Sequence, residues 1–402
     1  MFFYGLYALV GEALNARRIF GPFAWAPIVN NLVSIVGFVL LILLFGTELT
    51  DVSMWTPDAI ALLGGTATLG IVAQAVVLLL FWKRTGLSLR PDFRWRGVGL
   101  AQTGKLAGWT FLMVIAGQLA GLVQTRIANL ASGEGVSVFA MQQAWLLYML
   151  PYSLIVLSIG TPYFTQLSEH AHAGRKDEVK NDIERSIRAL GFFLAVAVAA
   201  MAAASVPASR VFTNNASEAE ALAPVLLCYL LALWPLSVLF IVQRTFYAYG
   251  DTRTPFFFTL FQCALVVATA LGAGALATAE ILPLEYLAVT IAFGQALASI
   301  AQTVAASLLL RRRIGSIRSR AWMPSLLRFA VAAAPAGLAG WGAYLLLSGP
   351  DGWMTADKLF GAVGSGVIAL VVLAVYIGIM ALMRVPELSA ATEIMRRFLP
   401  RR

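Results

Sequence analysis

From Leu359 to Met383 the chain carries no charged side chain, and almost every residue is apolar. A helix needs roughly 20 such residues to cross the hydrocarbon core of a bilayer. Comparable runs lie near 1–15, 24–46, 59–82, 106–130, 138–162, 187–206, 222–248, 255–279, 284–310 and 325–348, which with 359–383 makes eleven candidate spans. Only 12% of the residues are charged, against about 25% in soluble domains. The expected fold class is therefore an all-α polytopic membrane protein with about eleven transmembrane helices. The first run is short and begins at Met1 with no basic flank, so it does not read as a signal peptide.

The loops between these runs alternate in sign. Arg17 and Arg18, the stretch from Lys83 to Lys105, the stretch from Arg175 to Arg188, Arg253, the stretch from Arg311 to Arg320 and the tail from Arg384 onward hold 24 of the 29 lysines and arginines. The intervening loops hold Glu48, Asp51, Asp58, Glu134, Glu218, Glu220, Glu280, Glu285, Asp351 and Asp357, with Arg210 and Lys358 as their cations. Basic loops stay on the cytoplasmic side, which places the C-terminus inside the cell. The same bias explains the net charge of +9 without any nucleic-acid partner. Eleven spans would then start outside, a parity that predicts further helices ahead of Met1.

Internal similarity agrees. "QRTFYAYGDTRTPFFFTLFQ", from Gln243, aligns in pattern with "GEALNARRIFGPFAWAPIVNN", from Gly11: a helix end, a basic turn, a proline, aromatics and a new span. Spans 1–3 then correspond to spans 7–9. The chain reads as parallel six-helix repeats, the first one incomplete, followed by two extra helices. The expected division is 1–84 for the second half of an N-terminal lobe, 85–105 for a cytoplasmic linker and 106–311 for a six-helix C-terminal lobe. A basic loop, 312–324, and the extra pair with its basic tail, 325–402, complete it.

The turn "NARRIFGPFAWAPIVNN", from Asn15, concentrates polarity between two spans. Arg17 and Arg18 suit an anionic inner leaflet. Pro22 suits a first helical turn, where no N–H is required. Pro27 lies inside the helix and frees the carbonyl near Phe23, which needs a partner from protein or a cavity. Asn30 and Asn31 are about 100° apart, so at least one faces the bundle.

That turn resembles the signature of the MurJ/MviN family of lipid II flippases: a Leu-Asn helix end, an Arg–Phe turn, an Ala-Pro pair and an Asn-bearing helix. "YAYGDTRTP", from Tyr247, resembles the equivalent second loop, and "PYSLIVLSIGTPYFTQLSEHA", from Pro151, resembles the end of the family's eighth helix. The resemblance covers essentially the whole chain, as helices four to fourteen. It implies fourteen helices in two lobes, with a groove formed by the last pair. It also implies a plasma-membrane transporter that is not an enzyme and needs no cofactor, moving lipid II, an undecaprenyl-pyrophosphate-linked peptidoglycan precursor, to the outer leaflet. Implied partners are lipid II or a similar polyprenyl-pyrophosphate lipid, anionic inner-leaflet lipids and cell-wall synthesis enzymes. The alternative is a related exporter of drugs or undecaprenyl-linked polysaccharide, since fold alone does not assign function.

Polar residues inside spans are expensive and mark candidate sites. Gln118, Gly121, Thr125, Arg126 and Asn129 make one polar helix face, and Gln295, Ser299 and Gln302 make another. Gln142 and Gln143 stand on the fifth span and Arg244 near the inner end of the seventh. With Asn30 and Asn31 these are the candidate cavity residues, the alternative for the amides being interhelical hydrogen bonding. Arg126 is the sharpest of them, because a guanidinium grips pyrophosphate bidentately. The resemblance implies a substrate arginine early in the family's eighth helix, yet "QQAWLLYMLP" holds no cation there; Arg126 is the candidate replacement. His170 and His172 lie in the basic stretch 168–188, which reads as an amphipathic helix on the inner leaflet. His172 and Asp177 form an isolated H-x4-D pair, a noise-level match to acyltransferases. Cys228 and Cys263 have no metal-site spacing, and Asn215-Ala216-Ser217 is a formal glycosylation sequon.

Overall fold

The computed structural model describes residues 2–17, 19–46, 54–86, 100–131, 138–315 and 319–385. Among them every regular element is helical. Ten helical segments are long and apolar enough to cross a bilayer. The first run is a 15-residue helix, α1 (Phe2–Ala16), and falls short of that length. Arg18, Arg90, Arg94, Arg96, Glu134 and the tail 386–402 lie outside the described residues. The chain separates into two compact units, Met1–Arg96 and Gly97–Arg402.

In the first unit α1 packs on α2 (Phe20–Phe45) and α3 (Pro57–Leu80). Val10, Leu14, Ala26 and Leu78 form its buried centre. The two long helices approach closely because each offers the other a glycine. A Cβ on Gly37 would lie 2.3 Å from the Thr66 Oγ1, and one on Gly70 would lie 2.3 Å from the Asn30 Oδ1. Small residues at such contacts are how helices associate where lipid removes the hydrophobic drive. Thr56 caps α3 by accepting from the Ala59 N–H at 3.3 Å, with Pro57 as the first helical residue. The carbonyl freed by Pro27 receives the Tyr7 hydroxyl at 3.5 Å, a long contact, and the Tyr7 and Phe23 rings stack at 5.3 Å. Gly11 leaves the room for this, because a Cβ there would lie 2.4 Å from the Phe23 ring.

The second unit opens with α4 (Leu100–Ala128) and α5 (Val138–Pro151). A π-helical stretch, Tyr152–Leu157, follows, and then α6 (Ser158–His172). The apolar run alone predicts one straight span here. Pro151 stands at the start of the wide turn, and such turns recur where a helix cannot keep its i→i−4 ladder. Next come α7 (Lys176–Ala203), the six-residue α8 (Ser205–Arg210) and α9 (Ala216–Leu230). Asn215 caps α9: its side-chain oxygen accepts from the Glu218 N–H at 2.8 Å, and the Glu218 carboxylate accepts from the Asn214 N–H at 3.0 Å. The sequon is thus a helix cap in the fold.

The expected span 222–248 is two helices, α9 and α10 (Leu233–Ala248). Pro235 has no N–H for the Leu231 carbonyl, so the ladder breaks between them. The carbonyl of Pro235 itself accepts from the Thr303 hydroxyl at 3.0 Å. Then follow α11 (Arg253–Thr278), α12 (Leu287–Ile314), α13 (Ser319–Leu347), the single turn α14 (Trp353–Ala356) and α15 (Lys358–Leu382). Gly250, at φ +67°, turns the chain out of α10, with the Asp251 N–H returning to the Phe246 carbonyl at 3.0 Å. The α11 helix packs along both α4 and α12, while α13 packs on α7 and α15. As in the α2–α3 pair, α11 and α12 meet through glycine and threonine: a Cβ on Gly294 would lie 2.6 Å from the Thr269 Oγ1.

Large apolar side chains cover the outside. Leu43 is 74% exposed, Leu346 89% and Leu382 85%, which suits lipid rather than water.

The basic stretch 168–188 corrects one expectation. It forms no separate surface helix. Its residues are the end of α6 and the first turns of α7, and Val179, Asp182, Ile183, Ser186 and Ile187 are buried in the unit. Gly174, at φ +71°, makes the reversal. His170 holds the two helices together: Nδ1 lies 2.6 Å from the buried Asp182 carboxylate and Nε2 lies 2.9 Å from Glu178. Arg175 reaches the same Glu178 at 3.0 Å. His172 contacts the Ser168 carbonyl instead, and Asp177 faces solvent beside Lys180; they form no catalytic pair. His170→Ala leaves Asp182 buried without this partner, and breaking such a pair costs about 3 kcal/mol. Thermal unfolding in detergent is expected to show that loss, with faster proteolysis at Gly174. An unchanged midpoint would mean that the pair stabilises nothing.

Candidate functional site

A cavity lined by amides lies among α4, α5, α9, α11 and α12, with a volume of about 710 Å³. From α4 it receives Gly117, Gln118, Gly121, Gln124 and Thr125. These recur at three- and four-residue intervals, one face of a helix. The two glycines have nothing within 4 Å of where a Cβ would stand, so the space above them is open. From α5 come Gln142 and Trp145, from α9 Tyr229, from α11 Gln262 and from α12 Gln295. Among the described residues, none that lines it carries a charge.

The amides divide into two kinds. The Gln124 side-chain amide donates to the Gln295 side-chain oxygen, Oε1, at 3.4 Å, joining α4 to α12. Gln118 and Gln142 are exposed to the cavity and have no hydrogen-bond partner among the described residues. An unpartnered primary amide offers two donors and one acceptor. The aromatic wall is a cluster: Trp145 lies 5.0 Å from Tyr148 and 5.5 Å from Tyr229, ring centre to ring centre. Both tyrosines are buried, whereas Trp145 is 37% exposed.

Of the residues singled out in the sequence, Gln118, Thr125, Gln142 and Gln295 line this cavity. Arg126 and Asn129 do not, although both are exposed. Arg126 is one position round the helix from Thr125, and Asn129 sits in the tighter turn Asn129–Ala131 that follows α4. Gln143 is not among the lining residues. Gln302 is buried and donates to the Thr259 hydroxyl at 3.3 Å, an interhelical tie between α12 and α11. Ser299 turns its hydroxyl back to the Gln295 carbonyl at 3.0 Å. Arg244 stands over the rings of Phe164 and Phe240, at 5.1 and 5.0 Å, a cation–π site at the end of α10. Asn30 packs on Gly70 in the first unit, and Asn31 beside it is exposed.

Two lining glutamines escaped the sequence reading. Gln124 shares the α4 stripe and was legible from the spacing with Gly117 and Gly121. Gln262 is a lone amide in the apolar run "FFFTLFQCALVV", with no periodic companion to mark its face.

A second, apolar cavity of about 680 Å³ runs between α7, α9, α10 and α13, walled by alanines, Trp234 and Trp341. A smaller one of about 360 Å³ lies among α10, α12 and α13. Trp234 and Ala330 border both, so the two form one groove along α13.

The family described as lipid II flippase MurJ matches residues 1–361. A probable lipid II flippase MurJ of Thermotoga maritima is 26% identical over 201 residues, 49% of this chain and 40% of that protein. One from Rhizobium tropici is 25% identical over 267 residues, 65% of this chain and 48% of that protein. The chain thus spans about half the length, or less, of these relatives. A solved structure, a lipid II flippase MurJ in an inward closed conformation, superposes with a TM-score of 0.65 at 16% identity, covering 95% of this chain and 71% of the other. At that identity the likeness establishes the fold.

Proposed function

Because the chain belongs to the MurJ family of lipid II flippases, we propose that it moves a lipid-linked, pyrophosphate-bearing cell-wall precursor, lipid II, from the inner to the outer leaflet by alternating access. The observation that supports this most is the cavity of about 710 Å³, polar yet enclosed by helices of membrane-spanning length. Polar groups are expensive at that depth and persist where they line a pathway. The α13 groove offers a dry track for a polyprenyl tail beside it. A hydrated head and an apolar tail would then travel in different media, as flipping a lipid requires.

The finer assignments belong to the same proposal. The lobes are 1–84 and 106–311, joined by 85–105, with the basic loop 312–324 and the extra pair within 325–402. The ends of α10 and α12, with Arg253, Arg311, Arg312 and Arg313, lie at the cytoplasmic face, where anionic lipids attract them. The C-terminus follows on that side, and cell-wall synthesis enzymes are the natural recipients of the product. Gln118, Thr125, Gln142 and Gln295 contact the head directly. Arg126, Arg244, Asn129, Gln143, Gln302, Asn30 and Asn31 act from outside this cavity.

Expression of the chain in cells depleted of their own flippase tests the proposal. Restored exposure of lipid II on the outer leaflet is the expected result. A chain that inserts normally yet restores nothing overturns it in favour of a drug or polysaccharide exporter.

A further inference from the structure

We infer that the cavity among α4, α5, α9, α11 and α12 recognises the N-acetylated sugar of its substrate and leaves the pyrophosphate to groups elsewhere. The inference rests on the flippase reading and assigns it a division of labour. Four observations carry it.

Among the described residues, the lining contains five glutamines and no charge. A primary amide both donates and accepts, as do a sugar hydroxyl and an acetamido group. Pyrophosphate only accepts, so it would meet amide oxygens as well as amide N–H groups. With no cation among the lining residues, its charge would be desolvated without compensation.

Two of the amides, Gln118 and Gln142, have no partner among the described residues and face the cavity from different helices. They are available to a ligand without breaking any contact of the fold. Gln124, by contrast, is held by Gln295 at 3.4 Å, a distance long enough for a ligand hydroxyl to compete.

The third observation is the aromatic cluster. Trp145 keeps 37% of its surface exposed while its neighbours Tyr148 and Tyr229 are buried behind it. An indole fixed by two rings presents an apolar body with its polar edge free. The C–H face of a pyranose ring is its complement, flanked by amides that take the equatorial hydroxyls.

The fourth is size. About 710 Å³ falls within the range of small-molecule sites and is ample for a pyranose ring.

The test uses the full chain in lipid nanodiscs and three probes: undecaprenyl pyrophosphate, the same lipid bearing one N-acetylglucosamine, and lipid II. Dissociation constants are measured for the unaltered chain and for Gln118→Met/Gln142→Met. Neither replaced residue makes an internal hydrogen bond among the described residues, so the variant is expected to melt with the parent. If it does not, Gln262→Met serves in its place. The expected result is that the sugar-bearing lipids bind the unaltered chain about tenfold tighter than undecaprenyl pyrophosphate, about 1.4 kcal/mol. The variant is expected to lose that preference while binding undecaprenyl pyrophosphate as before. The preference is also expected to survive high salt, since it involves no charge. Equal binding of all three lipids by the unaltered chain overturns the inference and leaves the flippase reading standing. So does a preference that the variant retains, or one shown for lipid II alone, since a single N-acetylated sugar would then not be what the cavity recognises. Failure to bind any of the three overturns the flippase reading itself, and the inference with it.

Discussion

Arg210→Met is expected to destabilise the protein by about 3 kcal/mol or more, and to free the segment that leads into α15. The guanidinium is 6% exposed and donates to the carbonyls of Thr213 at 2.7 Å, Thr355 at 2.7 Å and Ala356 at 3.0 Å. Two of these are the last carbonyls of α14, which its own turn cannot satisfy. The charge is met by backbone dipoles that converge from two segments more than a hundred residues apart. Gly361 lets α15 close over it, since a Cβ there would lie 2.7 Å from the Pro207 carbonyl oxygen and 3.2 Å from the Arg210 Cβ. Methionine keeps much of the stem and removes every donor, leaving three acceptors without their partner. Lysine is expected to recover part of the loss, because one ammonium cannot reproduce the fork. Thermal unfolding in detergent measures the energy, and hydrogen exchange at residues 357–361 localises it. A methionine variant that melts with the parent would show that the network is incidental.

Gly121→Trp is expected to abolish transport and leave the fold intact. Nothing stands within 4 Å of the Gly121 Cβ position, and the residue borders the cavity. The indole therefore enters open space rather than a packed core, and the cost of overpacking does not arise. It fills room that the head group needs. Substrate affinity in nanodiscs is expected to fall at least about tenfold, equivalent to 1.4 kcal/mol. Outer-leaflet exposure in flippase-depleted cells is expected to fall to background, and the thermal midpoint to stay within the scatter of the parent. Normal exposure from a well-inserted Gly121→Trp protein would remove this cavity from the pathway. A lowered midpoint would show that the cavity closes onto Gly121 in another state.

The spans were legible because each is a property of its own residues. Ten of the eleven apolar runs are helical segments of crossing length, and the eleventh, α1, is helical but short. What the runs hid was their interior. The π-helical turn at Tyr152–Leu157 and the break before α10 lie inside unbroken hydropathy. Prolines signal both, but whether a proline bends, widens or breaks a helix depends on what receives the freed carbonyl. Tyr7, from the preceding helix, does so for the Phe23 carbonyl freed by Pro27, and Thr303 holds the carbonyl of Pro235 itself from a helix 68 residues on.

The sequence by itself determined that this is a helical membrane protein, and it marked the residues whose polarity demands a partner. Periodicity told which of them share a face of one helix. It could not say what that face meets. Gln118 and Gln302 looked alike as amides on polar stripes, yet one opens on a cavity and the other ties two helices together. Arg210 looked like a stray cation in an outer loop and is instead a buried clasp. The contact between Gln124 and Gln295 joins residues 171 apart. A helix fixes the angles between its own side chains, but its rotation about its axis is set by neighbours. Only the packed bundle brought five helices to one cavity, lined among the described residues by amides and no charge.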